Sequence, residues 1–139
     1  MVDTHFRIEK LKNEIIGCGI EVHRTLGPGL LESVYRECLL IELTKHRLHA
    51  ECERQVSLEY KGTPLNGFLK LDLLVENVVV VEVKAVERYH PVHLAQLVTY
   101  LKLTGHPVGL LMNFNVTALK SGLRRADHPA RYVKKLLTS

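Results

Sequence analysis

Hydrophobic residues at helical spacing predict that the chain begins with two amphipathic helices. Between residues 6 and 26, apolar or small residues recur every three or four positions, at Ile8, Leu11, Ile15, Gly19, Val22 and Leu26. This period places them on one face of an α-helix. The following Gly27-Pro28-Gly29 should end the helix, because proline cannot continue it and glycine suits a turn. A second apolar stripe predicts another helix over residues 31–46.

Alternating residues in the middle of the chain predict three β-strands. In residues 55–60 every second side chain is apolar, which places these side chains on one face of a strand. Residues 68–75 and 78–84 are two apolar, β-branched-rich runs separated by the polar pair Glu76-Asn77. Two such runs around a short polar segment are typical of a β-hairpin.

The remaining elements complete an α/β pattern. A helix is predicted over residues 91–104, since Pro91 suits its first turn. A short buried strand over residues 108–112 and an edge strand at residues 123–125 should follow, with a loop or short helix between them. This order predicts an α/β sandwich in which helices flank a mixed central β-sheet.

Length and composition are those of one soluble globular domain spanning residues 1–139. The formal net charge of +4 permits an anionic partner without requiring one. The 3 cysteines show no Cys-x-x-Cys spacing, so we expect free thiols in a reducing compartment. No apolar run is long enough to span a membrane, and the N-terminus lacks a secretory signal, so we expect a cytoplasmic protein without a membrane partner.

Three charged residues, Asp72, Glu82 and Lys84, interrupt the predicted hairpin. Burying an unpaired charge is costly, so each of them needs a partner, a metal ion or water. Strict alternation puts Asp72 on one face of its strand and both Leu71 and Leu73 on the other. Glu82 and Lys84 share a face of the second strand, so two acids and an amine can converge on one patch of the sheet.

The turn between the two strands decides whether the acids share a face. With a regular two-residue turn at Glu76-Asn77, Leu71 would lie opposite Glu82 and the two acids would point in opposite directions. A shared site therefore requires an odd-length loop, such as residues 75–77 with Asn77 in the left-handed region, or a β-bulge.

These residues also resemble a known family. Asp72 followed, after a hairpin, by Glu82-x-Lys84 is similar to the metal and general-base motif of the PD-(D/E)XK nucleases. Gly29-Leu30-Leu31-Glu32-Ser33-Val34-Tyr35 matches the G-x-x-E-x-x-Y signature of the GxxExxY proteins, a bacterial group assigned to that superfamily. The similarity extends over most of the chain, through residues 51–55, 60–62 and 109–114.

The resemblance implies a restriction-endonuclease-like fold and a metal-dependent nuclease that cleaves phosphodiester bonds, preferentially of DNA. It implies that Mg²⁺, with Mn²⁺ as a substitute, is bound by Glu32, Asp72, Glu82 and the backbone carbonyl of Val83. The implied catalytic residues are Glu32, Asp72, Glu82 and Lys84, of which Lys84 would orient or deprotonate the attacking water. Gln96-x-x-x-Tyr100 resembles a helix motif of the RecB-like branch, and the implied substrate-binding residues are Tyr35, His93, Gln96 and Tyr100.

Residue type alone leaves simpler roles open. Glu32 could be a first-turn glutamate stabilised by the helix N-terminus, and Gln96 with Tyr100 could be a satisfied pair in the core. The basic residues near the C-terminus form either a solvated surface or a phosphate-contacting one; they are Lys120, Arg124, Arg125, Arg131, Lys134 and Lys135. A catalytically inactive nuclease-like module that binds nucleic acid or protein is the alternative function, with structural ion pairs at the hairpin. Monomer and homodimer are both open.

Overall fold

The computed structural model describes residues 3–130 and begins with helices α1 (Thr4–Leu26) and α2 (Glu32–Lys45). Asp3 caps α1, because its side chain accepts a hydrogen bond from the backbone N–H of His5. α1 ends at Leu26 and is followed by the capping residue Gly27, whose φ of 72° lies in the region that favours glycine. Both predicted N-terminal helices are confirmed.

Five strands form one mixed sheet in the order β1-β2-β3-β4-β5. The strands are β1 (Ala50–Tyr60), β2 (Thr63–Val75), β3 (Val79–Lys84), β4 (Val108–Asn113) and β5 (Leu123–Asp127). β3 and β4 are parallel, joined by the crossover helix α3 (Pro91–Thr104), and the other neighbours are antiparallel. The predicted restriction-endonuclease-like sandwich with a mixed sheet is confirmed.

The sheet separates two apolar clusters. On one side α1 and α2 pack against β-strand residues such as Leu73 and Val81. On the other side Leu97 and Leu101 of α3 pack against Leu74, Val80 and Leu111. None of the described helices is both long and apolar enough to cross a membrane.

The turn between β2 and β3 has the odd length that a shared site requires. Val75 pairs with Val79, so residues 76–78 form a three-residue loop. The first two loop residues have φ angles of 51° and 57°. Extended along the strands, this register places Asp72 opposite Glu82. The prediction of an odd-length loop is confirmed, one residue later than the 75–77 loop we gave as an example.

Strict alternation along β2 is wrong at one point. Leu71 packs with Leu74 on the α3 side of the sheet, whereas Leu73 packs on the α1 and α2 side. The alternation therefore shifts by one residue at Asp72. Glu53, which lies between the β1 partners of Leu71 and Leu73, has a φ of 53° and interrupts the regular pairing in the same place. Because of this irregularity, Asp72 has no regular pairing partner on β1.

Candidate active site

Asp72 and Glu82 lie side by side where the pairing of β2 and β3 ends. The backbone N–H of Asp72 donates to Glu82 Oε1 at 3.3 Å, and the N–H of Val83 donates to Asp72 Oδ2 at 2.8 Å. Each carboxyl group is thus held by the backbone of the opposite strand. Glu82 is buried, with only 7% of its surface exposed.

The environment of Glu82 disfavours its charged form. Burial and the neighbouring charge of Asp72 raise the pKa of Glu82 to about 8, although the positive charge of Lys84 opposes this effect. Two carboxyl groups so close together need a proton or a cation between them. Their hard oxygen donors fit a divalent ion such as Mg²⁺, which would let both groups ionise.

Glu32 and Lys84 approach the same end of β3 from different elements. Glu32, the first residue of α2, accepts a hydrogen bond through Oε2 from the N–H of Ala85 at 3.1 Å. The carbonyl of Lys84 accepts a hydrogen bond from Phe114 N–H at 2.9 Å, which fixes the strand end to the segment after β4. Within residues 3–130, no three His, Cys, Asp or Glu side chains are grouped closely enough to hold a metal ion together. Glu32 therefore contacts the backbone directly after β3 rather than completing a three-acid cluster.

Gln96 and Tyr100 lie on the α3 side of the acidic pair. Burial raises the pKa of Tyr100, and the charges of Glu82 and Asp72 raise it further, while a side-chain hydrogen bond with Gln96 opposes the shift. Tyr100 is therefore within electrostatic reach of both acids. Gln96 is the hydrogen-bond partner of Tyr100, and the contact of these two residues with substrate stays a prediction.

His93 and Tyr35 have structural contacts instead. His93 Nδ1 accepts a hydrogen bond from His90 N–H at 3.1 Å and so caps the start of α3. Tyr35 is fully buried and stacks on Phe114, with 4.6 Å between ring centroids. Its hydroxyl donates to the carbonyl of Gly27 at 2.5 Å. Tyr35 has no exposed surface to offer a substrate, so its expected substrate contact is corrected to a core role.

Arg36 is a charged neighbour of the site that the sequence analysis missed. Its Nη1 lies 3.6 Å from Asp72 Oδ1, and its Nη2 lies 3.0 Å from Glu53 Oε1. Arg36 follows Glu32 by four residues, so both lie on one face of α2. That spacing was the signal that could have found it.

The basic residues near the C-terminus divide into two kinds. Arg125 Nη1 pairs with Glu9 of α1 at 2.6 Å, and its Nη2 pairs with Asp127 at 3.0 Å, so its charge is used within the fold. Arg124 is exposed and lies over the ring of Tyr89, 5.4 Å from its centroid. Three predicted members lie outside the described residues, namely Arg131, Lys134 and Lys135.

Comparison with known protein families shows to which superfamily the chain belongs. The family model of the PD-(D/E)XK nuclease superfamily matches residues 9–126, a range that contains every candidate site residue. The chain has no match among the curated proteins or the solved structures compared with it. The family match covers most of the 139 residues, and the chain therefore belongs to the PD-(D/E)XK nuclease superfamily.

Proposed function

We propose that this chain is a metal-dependent nuclease that hydrolyses phosphodiester bonds, preferentially of DNA. The observation that carries the proposal is the contact between Asp72 and Glu82 across a three-residue turn, with Lys84 two residues further along β3. Membership of a nuclease superfamily makes a catalytic use of this cluster the best-supported one.

Asp72, Glu82 and the carbonyl of Val83 would hold Mg²⁺, with Mn²⁺ as a substitute. Mg²⁺ commonly takes one or two carboxylates and completes its coordination with water and substrate phosphate, so a third carboxylate is not required. When bound, the ion lowers the pKa of a coordinated water and neutralises charge on the scissile phosphate. Glu32 would contribute through water, and it holds the end of β3 through Ala85.

The remaining residues would act on the substrate and the attacking water. Lys84 would deprotonate that water as a neutral amine, or orient it as an ammonium group; in the ammonium form it would also offset the negative charge that develops in the transition state. Gln96 and Tyr100 would position the substrate from α3, with His93 at the first turn of the same helix. The preference for DNA rests on the resemblance of Gln96 and Tyr100 to the RecB-like helix motif and of residues 29–35 to the GxxExxY signature.

One observation favours the alternative, a nuclease-like module that binds nucleic acid or protein without cleaving it. Arg36 already lies 3.6 Å from Asp72, so an internal cation partly neutralises one of the two acids. In that case Asp72, Glu82 and Lys84 would be part of a structural charge network.

The test is incubation of the purified chain with plasmid, linear and single-stranded DNA and with RNA, each with Mg²⁺ or Mn²⁺. We expect metal-dependent cleavage that a chelator abolishes and that Glu82→Gln lowers at least about 100-fold. Glu76→Gln makes the same change at an exposed turn residue six positions before Glu82 in the chain and should cleave like wild type. Equal cleavage by all three proteins would identify a contaminant, and DNA binding without cleavage would favour the alternative.

A further inference from the structure

We infer that Arg36 is an internal cation that competes with the divalent metal ion for Asp72; this role rests on the proposed function. Arg36 bridges two carboxylates from different strands, Asp72 of β2 and Glu53 of β1. Its side chain is only 22% exposed, so solvent screens its charge incompletely.

The two oxygens of Asp72 have different partners. Oδ2 accepts the hydrogen bond from Val83 N–H, which fixes the orientation of the carboxylate. Oδ1 is the oxygen nearest Arg36, at 3.6 Å, a distance of charge attraction rather than of a tight hydrogen bond. A metal ion that binds Asp72 must share this carboxylate with a guanidinium group that cannot lose its charge.

Glu53 gives Arg36 a second partner. The Glu53 carboxylate lies closer to Arg36, at 3.0 Å, than Asp72 does. Glu53 reaches this position from a left-handed backbone conformation, which is unfavourable for a residue other than glycine. If a metal ion takes over Asp72, Glu53 keeps Arg36 paired, so no partly buried charge is left alone.

This arrangement predicts opposite effects for two neighbouring substitutions. Arg36→Gln removes a unit positive charge beside the ion and should tighten metal binding about tenfold. Glu53→Gln removes one of the two carboxylates that pair with Arg36. Arg36 then pairs with Asp72 alone, so this variant should bind the metal several-fold more weakly. In an Arg36→Gln background the Glu53 substitution should have a much smaller effect, because the two residues act as one pair.

The measurement is calorimetric titration of the full chain with MnCl₂ and with MgCl₂, with folding checked by circular dichroism. Arg54→Gln is the matched control, since Arg54 is an exposed arginine on β1 that pairs with Glu51 at 2.7 Å; its dissociation constant should stay within about twofold of wild type. Arg36→Lys is a second variant that keeps the positive charge, in case Arg36→Gln does not fold. It should bind the metal much as wild type does.

The outcomes separate this inference from the proposed function. If wild type binds the metal and Arg36→Gln binds it equally or more weakly, the inference is overturned while the proposed function stands. If Arg36→Gln binds metal and wild type does not, the inference holds in its strongest form. If none of the variants binds metal, the proposed metal site and the inference both fall.

Discussion

Glu82 is a buried carboxyl group next to another carboxyl group, and this placement opposes folding at neutral pH. Burial and Asp72 raise its pKa in the folded chain to about 8, from an ordinary value of 4.5. The folded state therefore binds a proton more tightly than the unfolded state does. The contribution to stability is fully present below about pH 4.5 and is lost as the pH rises toward about 8.

Glu82→Gln should remove this pH dependence. In wild type without metal, the free energy of unfolding should fall by up to about 1.4 kcal/mol per pH unit across this window, the slope expected for one proton. The glutamine variant should show a flatter profile and be at least as stable as wild type near pH 8. Urea denaturation between pH 5 and 9 measures both, with Glu76→Gln as the control. Parallel profiles, or a strongly destabilised glutamine variant at every pH, would mean that Glu82 is part of a favourable structural network.

We expect Tyr35 to stabilise the core and Tyr100 to act on the substrate, and one substitution at each residue tests this difference. Tyr35→Phe removes a buried hydroxyl that bonds the Gly27 carbonyl and accepts from Leu30 N–H, so it should destabilise the fold by about 1–2 kcal/mol. Its cleavage rate per folded molecule should not change. Tyr100→Phe should lower cleavage with little loss of stability, because Tyr100 is within electrostatic reach of both acids and we propose that it positions the substrate. Urea titration and initial cleavage rates, measured on the same preparation of each variant, test both predictions. Slower cleavage by Tyr35→Phe without loss of stability would indicate that Tyr35 contacts the substrate after all.

The positions of the helices and strands could be predicted from local sequence signals. The face of the sheet to which each β2 side chain points could not. α3 begins at Pro91 and ends before Gly105. Proline is common in the first turn of a helix and glycine directly after its end, so these two residues predict both bounds. The odd-length turn could be predicted because Asp72 and Glu82 can share a face in no other regular way. The shift at Asp72 could not be predicted, because alternation assumes regular pairing and the pairing breaks down between Glu53 and Asp72.

The close packing of α3 on β4 should be sensitive to one methyl group. A Cβ at Gly109 would lie 2.7 Å from Leu97 Cδ1, closer than real contacts allow. Gly109→Ala should therefore destabilise the fold by about 1–3 kcal/mol and lower cleavage by moving the helix that carries Gln96 and Tyr100. Gly67→Ala, where nothing lies within 4 Å, is the matched control. Equal urea midpoints for the two variants would show that α3 shifts without cost.

In the whole molecule, some basic residues form ion pairs that stabilise the fold, whereas others lie exposed on the surface. Arg125 joins β5 to α1 through Glu9. Burial raises the pKa of Glu9, but hydrogen bonds and charge attraction from Lys12 and Arg125 outweigh this effect and lower the pKa to about 2. The sequence could not separate Arg125 from Arg124, because only the packing of α1 near β5 shows which one is paired. The same limit applies to Tyr35 and Arg36, whose contacts depend on how α2 lies on the sheet.

This division predicts different effects on DNA binding. If Arg124 contacts phosphate, Arg124→Gln should flatten the slope of log affinity against log salt by about 0.9 on duplex DNA. Arg125→Gln should leave the slope unchanged but destabilise the fold, because it leaves Glu9 and Asp127 without this partner. Fluorescence anisotropy across a salt series gives the slopes. Equal slopes for wild type and Arg124→Gln would make Arg124 part of a solvated surface.

The proposed nuclease activity requires that Lys84 and the two acids form a working hydrolytic site. Its most direct test compares wild type with Lys84→Met, which keeps most of the side-chain volume and removes the charge, for Mg²⁺-dependent cleavage and DNA affinity in the same preparation. We predict that Lys84→Met binds DNA within a few-fold of wild type and cleaves it at least about 100-fold more slowly. Cleavage by Lys84→Met at the wild-type rate would contradict a catalytic role for this site.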